Sequence, residues 1–445
     1  MKLSIIGTGY VGLVTGVCLA EKGHSVVCVD LDESKVNQIN AGKTPIYEPG
    51  LPELLERQVA DGRLRATTDL DQAVRESSLT LIAVGTPFNR DQIDLTYVRT
   101  CAAQIGAALR KKKNYHVVVV KSTVVPGTTD DVVKPILEKE SGWRAGRDFG
   151  VGMNPEFLSE GEAVHDFMQP DRIVLGGIDE RTRKSLGMVY RSFDGVPILR
   201  TTNKTAEMIK YTSNALLATL ISFSNEIGNL CSDLGGVDCV DVMEGVHLSQ
   251  YLMPTAGNGR VRAPIASFVA AGCGFGGSCL PKDVKALIAR GNGIDSRMGL
   301  LKEVIRINED QPRRMIELLK TRIADLRGVS VAVLGLAFKP ETDDLRESPA
   351  IRLIDLLLQE GARVLAYDPV AMPAARRALS DREIRYCESL EEAVKRAKAI
   401  FLVTSWKQFE RIPKLMTTLR RHPILVDGRR QLDKQKVKNY LGVGL

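Results

Sequence analysis

One cysteine of this chain stands in a setting suited to covalent chemistry. The stretch Gly274-Phe275-Gly276-Gly277-Ser278-Cys279-Leu280-Pro281-Lys282-Asp283 joins a glycine-rich approach, a thiol and a Lys/Asp pair at the start of an expected helix. Pro281 suits a first helical turn, and Val284, Ala286, Leu287 and Ile288 continue as helix formers. The positive end of a helix dipole and a neighbouring ammonium both favour thiolate. A free cysteine is more often a small buried hydrophobe. That is the reading for Cys18, Cys28, Cys101, Cys231, Cys239 and Cys387, and for Cys273, which lies in the loop but lacks the Lys/Asp neighbours. Cys279 is read as a nucleophile.

Three other groupings carry candidate chemistry. Asn154-Pro155-Glu156-Phe157-Leu158-Ser159-Glu160-Gly161 holds two carboxylates four residues apart in a loop-like context, suited to acid/base work or to ordering water, or else simply a solvated turn. Lys210 and Asn214 are spaced i, i+4 on an expected helix among apolar neighbours, so they project from one face. Their useful partner would be an oxygen gaining negative charge; the plainer alternative is a snorkelling lysine beside a solvated amide. Gly85-Thr86-Pro87 and Lys121-Ser122-Thr123 end two expected strands, where hydroxyls face a ligand crevice or serve only the turns.

These residues need a scaffold. Residues 1–202 read as alternating strands and helices, with strands at Leu3–Ile6, Ser25–Val29, Leu79–Val84, Val117–Val120 and Ile173–Leu175, the pattern of a doubly wound parallel sheet. Gly7-Thr8-Gly9-Tyr10-Val11-Gly12 follows the first strand and opens an apolar helix, and Asp30 ends the next strand at about the ~20-residue spacing of a dinucleotide fingerprint. A carboxylate there favours ribose hydroxyls over a 2′-phosphate, hence NAD over NADP, with Lys35 a candidate for the adenosine end. A nicotinamide cofactor beside a nucleophilic cysteine suggests oxidation through a thiohemiacetal.

Asn203 to Leu234 has no helix breaker except Gly228 and ends at Gly235-Gly236, which predicts one long helix with a glycine cap. Asn258 to Gly277 reads as a loop feeding the cysteine. Farther on, Val329–Leu334 with Gly335-Leu336-Ala337 echoes the first strand and its turn. Arg363–Asp368 echoes the second, and Ile400–Val403 and Ile424–Val426 add buried strands. The fold class is therefore α/β: two Rossmann-like doubly wound domains, 1–202 and 311–445, joined through a long central helix, which could carry a subunit contact, in a helical region, 203–310, that also carries the cysteine loop.

At 445 residues, two or three domains are expected, and 44% hydrophobic with 26% charged residues is ordinary for a globular chain. The net charge of +7 fits an anionic small molecule. Lys111-Lys112-Lys113, Arg429-Arg430 and Lys434 to Lys438 are read as solvated surface rather than a nucleic-acid footprint. The eight cysteines and five histidines show no metal spacing, so no metal is expected. No signal peptide or membrane span is read, and a reduced, cytoplasmic setting follows.

Taken together, GTGYVG, Asp30, VGTP, KSTVVPGT, NPEFLSEG, AEMIKYTSNALLA, GFGGSCLPKD and GLAFKPETDDLRESPA, in this order, resemble the UDP-glucose/GDP-mannose dehydrogenase family over nearly the whole chain. The resemblance implies NAD-dependent, four-electron oxidation of a nucleotide sugar by a homodimer, with UDP-glucose preferred and GDP-mannose the alternative; a non-catalytic nucleotide-sugar binder and a simple two-electron dehydrogenase are the rivals. It implies Cys279 as nucleophile, with Lys210, Asn214 and Asp283 in proton transfer and oxyanion stabilisation. Thr123, Glu156 and Glu160 match positions ordering water, substrate or cofactor, with Phe157 and Leu158 in the same substrate segment. Thr86, Lys282 and Arg346 match cofactor contacts. Phe268 to Gly272, Gly276 and Lys339 match the substrate loop and nucleotide site, and Arg260 or Arg262 the arginine that reaches a neighbouring subunit's substrate. Tyr251 to Ser267 looks longer than usual, and Ala271 stands where relatives often have proline. Lys282 after Pro281 favours the glucose/mannose branch over relatives acting on N-acetylhexosamines.

Overall fold

A computed structural model describes residues 1–89, 92–257 and 259–445; Asn258, first residue of the expected cysteine-feeding loop, lies outside them. The chain divides into two compact units, Met1–Ser213 and Asn214–Leu445.

The first unit is built on an eight-stranded sheet. Its strands are β1 (Lys2–Ile6), β2 (Ser25–Val29), β3 (Leu64–Thr67), β4 (Leu79–Ile82), β5 (His116–Val120), β6 (Phe149–Met153), β7 (Ile173–Gly177) and β8 (Ile198–Thr201), in the order β8-β7-β6-β5-β4-β1-β2-β3. Runs such as Val117–Val120 are apolar on both faces because helices cover both sides, as a parallel sheet requires. The pairing is parallel from β3 to β6, but β7 runs antiparallel to β6. Here the structure departs from an all-parallel expectation. The connection from β6 is spent on the Asn154–Glu162 loop and one short helix, Ala163–Met168, instead of a covering crossover.

In the second unit, β9 (Ser330–Leu334), β10 (Arg363–Tyr367), β11 (Ile384–Tyr386), β12 (Ala399–Leu402), β13 (Ile424–Asp427) and β14 (Tyr440–Gly442) form a parallel sheet in the order β11-β10-β9-β12-β13-β14. Apolar clusters again cover both faces. The segment between the long helix and the cysteine holds a short helix, Cys239–His247, then a small antiparallel ribbon, Thr255–Ala256 with Gly259–Arg260, and a 3-10 turn at Pro264–Phe268.

Four helices matter for the chemistry. α1 (Tyr10–Glu21) follows the first glycine turn. α2 (Asn203–Leu234) has the predicted limits, and Gly235 ends it in the left-handed region (φ +67°), its N–H donating to Cys231 O at 3.1 Å. α3 (Leu280–Asn292) follows Cys279, and α4 (Gly299–Lys320) packs beside it.

Two basic runs are not the idle surface expected of them. Lys112 donates to the carbonyls of Val74, Arg75 and Ser77, capping the end of the helix Leu70–Glu76, where unsatisfied carbonyls attract a cation. Arg430 is half-buried and pairs with Asp238 at 2.7 Å, and Arg429 donates to Val403 O at 2.6 Å.

Candidate active site

At the dinucleotide fingerprint, a Cβ on Gly12 would stand 2.0 Å from Gly7 O, so only glycine lets α1 lie this close to the turn after β1. Nothing lies within 4 Å of where a Gly9 Cβ would be, which leaves the approach to the helix N-terminus open. Gly9 is the N-cap without a side-chain cap, so the backbone N–H groups of the first turn, at Tyr10, Val11 and Gly12, face an anion site. Asp30 accepts both the Thr8 N–H and the Thr8 hydroxyl on Oδ2, at 2.9 and 2.5 Å. Burial pushes its carboxyl upward, but the Thr8 hydroxyl, the Asp32 and Thr8 N–H groups and the Lys35 charge outweigh it and hold Asp30 ionised below its usual range. These residues fit a dinucleotide: an open cradle for the pyrophosphate and a charged acceptor for ribose hydroxyls.

In the same unit, Lys210 reaches Glu156 Oε1 at 3.1 Å, with both side chains nearly sealed from solvent (4% and 6% exposed). Glu156 also accepts from Leu158 N–H at 2.7 Å and from the Thr123 hydroxyl at 3.4 Å. Burial alone would raise its carboxyl; the charge and hydrogen bond of Lys210, the Leu158 N–H and the Lys121 charge reverse this and lower it. Thr86 donates its hydroxyl to Thr123 O at 2.8 Å, tying two strand ends together. Phe157 is partly buried, its ring 5.5 Å from Lys210 Nζ and stacked at 3.9 Å by Arg172. Leu158 and Glu160 are half-buried. Tyr10 Oη donates to Glu48, and Gly161 N–H lies 2.7 Å from Glu48 Oε2, so Tyr10 braces the segment that carries Glu160.

Two residues missed in the sequence complete this arrangement. Glu48, buried, also accepts from Ala163 N–H at 2.8 Å. Glu207, one turn before Lys210 on α2, accepts Gly127 N–H at 2.6 Å and Thr129 N–H at 2.8 Å. The available signal was the i, i+3 placement of Glu207 and Lys210 on an apolar helix.

In the second unit, Cys279 is the N-cap of α3, with Pro281 in the first turn, as the sequence predicted. It alone among the described cysteines is partly exposed; the other seven, Cys273 included, are buried. Burial pushes Cys18 and Cys28 up to about 12 and Cys101 to about 11, which makes them inert as nucleophiles. Ser278 Oγ lies 3.5 Å from the Cys279 sulfur. Asp283, buried, accepts from Lys282 Nζ at 2.5 Å and from Asn214 Nδ2 at 2.6 Å. The ammonium expected beside the thiol is therefore held by the Asp283 carboxylate, a strong charged acceptor.

The approach loop is held by polar side chains from two helices. Asn225 Oδ1 accepts Gly272 N–H at 2.7 Å, and Gln311 donates to Gly272 O at 3.1 Å. Asn308 brackets Phe275, accepting its N–H at 2.7 Å and donating to its carbonyl at 3.0 Å. A Cβ on Gly276 would lie 2.4 Å from Glu347 O, so the loop passes against backbone there. Gly277 N–H donates to Arg346 O at 2.9 Å, while the Arg346 guanidinium lies on Asp344 at 2.6 Å. Lys339 is half-buried, 6.0 Å over the Phe338 ring. Phe268 ends the 3-10 turn, half-buried. Arg260 donates to the Leu248 and Met253 carbonyls and Arg262 contacts His247, so both lie along their own loop.

Two Rossmann-type units, one with an open dinucleotide cradle, and a partly exposed thiol at a helix N-cap define an oxidoreductase of the nicotinamide-dependent class. The UDP-glucose/GDP-mannose dehydrogenase family matches in all three of its parts: the NAD binding domain over residues 1–194, the central domain over 204–310 and the UDP binding domain over 332–434. The chain is 44% identical to a UDP-glucose 6-dehydrogenase of Haloferax volcanii, across 99% of each chain. A GDP-mannose 6-dehydrogenase of Pseudomonas putida is also 44% identical, over 83% of this chain and 81% of that one. The structure of a UDP-glucose dehydrogenase from Pyrobaculum islandicum superposes with a TM-score of 0.90 at 42% identity, covering 99% of this chain and 97% of that one. The chain belongs to the UDP-glucose/GDP-mannose dehydrogenase family. It is an NAD-dependent nucleotide-sugar dehydrogenase, and none of its described helices is long and apolar enough to cross a membrane.

Proposed function

We propose that the chain oxidises UDP-glucose to UDP-glucuronate, using two NAD and one water per sugar. The observation that carries this reading is similarity along the chain to UDP-glucose dehydrogenases, with a TM-score of 0.90 for the solved one, whereas the GDP-mannose 6-dehydrogenase of Pseudomonas putida matches over 83% of the chain and the solved GDP-mannose dehydrogenase superposes at only 0.55.

Bound NAD supplies the hydride acceptor for each of two oxidations. The chain's own residues do the rest. Gly9 and the first turn of α1 hold the pyrophosphate and Asp30 the ribose, with Lys35, Thr86, Lys282 and Arg346 as further cofactor contacts. Loss of the first hydride leaves an aldehyde, which has no alkoxide to expel a second. Cys279 adds its sulfur to that carbon, giving a thiohemiacetal whose hydride can leave. Lys210 and Asn214 donate to the tetrahedral oxygen, with Asp283 holding Asn214 in place and taking part in proton transfer. The resulting thioester is hydrolysed by water ordered by Thr123, Glu156 and Glu160. Phe157, Leu158, Phe268, Gly272, Gly276, Lys339 and Arg262 contact the sugar nucleotide. The chain acts as a cytoplasmic homodimer, with residues 203–310 forming the dimer contact.

NADH release across a panel of sugar nucleotides tests the reading. UDP-glucose should give two NADH per sugar. Rapid release with GDP-mannose alone would transfer the activity to that substrate, one NADH would mark a simple dehydrogenase, and none a binding protein.

A further inference from the structure

Lys121 is a buried cation that the reaction above does not use. It follows β5, two residues before Thr123, and is 3% exposed. Its ammonium donates to Asn154 Oδ1 at 2.9 Å and lies 3.5 Å from Asn154 O. Asn154 is fixed in turn: its Nδ2 donates to Val174 O at 2.9 Å, and Tyr190 Oη donates to its Oδ1. Asn154 opens the turn that carries Pro155 and Glu156. The ammonium thus ties the end of β5 to the base of the carboxylate-bearing loop.

Those contacts alone do not call for a charge, because a neutral amide donor would satisfy Asn154. A full charge placed here costs solvation, and burial pushes the Lys121 ammonium down to about 8. The charge does have partners in the same unit. Lys121 interacts attractively with Glu156 and repulsively with Lys210, which is itself paired with Glu156. The three buried side chains make a plus–minus–plus cluster from three elements: the end of β5, the loop after β6, and α2. Lys121 also borders a cavity of about 250 Å³ that Glu156, Asp166, Asp171 and Arg172 help to line. Glu156 is the one anion of the buried trio; Lys210 and the Leu158 N–H do most to hold it ionised against burial, and the Lys121 charge adds to them.

We propose that Lys121 is a positioning residue for thioester hydrolysis: through Asn154 it sets the Pro155–Glu156 turn, and its ammonium adds a second positive charge near the carboxylate that takes a proton from water. The proposal rests on the reading of Glu156 given above. In the step concerned, the water oxygen bonds to the thioester carbon and one water proton passes to Glu156. The C–S electron pair then leaves on Cys279 as thiolate, and the new acid and Glu156 release their protons to solvent. No electrons are transferred to or from the chain.

Lys121→Met removes both tether and charge, and Lys121→Gln removes the charge while keeping a donor. In the full-length protein, both variants should move the acid limb of kcat upward by about one pH unit, a tenfold change in apparent acidity. At neutral pH, where Glu156 stays ionised in both variants, kcat of Lys121→Met should fall about tenfold through loss of the tether and that of Lys121→Gln should change less, while KM for UDP-glucose and NAD stays within about threefold, the signature of a lost transition-state interaction. Slow hydrolysis should also expose a pre-steady-state burst approaching two NADH per active site. An acid limb and burst unchanged from wild type would overturn the proposal, as would a loss equal at every pH together with a lower melting temperature. If both variants fail to fold, Lys121→Arg decides: it keeps the charge, so an acid limb like wild type supports the proposal and an upward move overturns it. Wild-type protein that releases no NADH from UDP-glucose, or one per sugar, overturns the four-electron reading itself and the Lys121 role with it.

Discussion

The side-chain amide of Asn308 holds the backbone of Phe275 at both of its polar groups, accepting the N–H at 2.7 Å and donating to the carbonyl at 3.0 Å. Phe275 lies in the glycine-rich loop four residues before Cys279. This clamp does for an irregular segment what a strand neighbour does in a sheet, since both buried backbone groups find partners. Asn308→Ala should leave those groups unsatisfied, lowering stability by about 1–3 kcal/mol. The larger effect should be on catalysis: kcat should fall about tenfold or more, because a small displacement of the nucleophile is costly. Chemical denaturation and steady-state kinetics on one preparation check both numbers.

Asp30 organises the dinucleotide turn before any cofactor arrives, since Thr8 gives it both a backbone and a side-chain hydrogen bond. Asp30→Asn keeps the shape but replaces a charged acceptor with a group that is half donor. Hydrogen bonds to a charged group contribute roughly 1.5–3 kcal/mol, so KM for NAD should rise about tenfold or more. KM for the sugar nucleotide should barely change. Initial-rate kinetics with each substrate varied in turn separates the two.

Glu207 gives a pH dependence whose sign is fixed. Burial, with Asp130 nearby, raises its carboxyl from 4.5 to about 7 against the pull of the Thr129 and Gly127 hydrogen bonds. A raised carboxyl holds its proton in the folded state after the unfolded chain has released it. Its stabilising share is therefore complete below about pH 4.5 and is lost as pH rises through about 7. Glu207→Gln removes that titration. The stability of wild type relative to this variant should decline by on the order of 3 kcal/mol between about pH 5 and about pH 8. Parallel urea titrations across that range read the difference directly; a flat difference contradicts the account.

The sequence was most legible where local chemistry and tertiary need agree. Asn203–Leu234 could be read to its ends because nothing interrupts it and Gly235 stops it. Pro281 likewise announced the helix behind Cys279. β6 escaped notice because Gly150 and Gly152 weaken its strand pattern. In the fold those glycines are required: a Cβ at Gly150 would meet Thr182 Oγ1 at 2.5 Å, and one at Gly152 would meet Leu186 at 2.8 Å. The reversed direction of β7 depends on what the connecting loop packs against, which no local pattern encodes. The chemically reactive types, Cys279, Lys210, Glu156 and Asp283, stood out by identity and spacing. Their supports did not. Asn225, Asn308 and Gln311 look like surface polar residues until a loop is laid across them, Glu48 gains meaning only from the backbone N–H groups it accepts, and Lys121 only from Asn154.

The central claim is that sulfur on Cys279 carries the sugar between the two oxidations. Acid-quenched protein, taken during turnover with UDP-glucose and NAD and digested for mass spectrometry, measures this directly. The account predicts a sugar-nucleotide adduct on the peptide containing Cys279, increased when Glu156→Gln slows hydrolysis and absent from Cys279→Ala. An adduct on a different residue, or none in the slowed variant while two NADH per sugar still form, would contradict it.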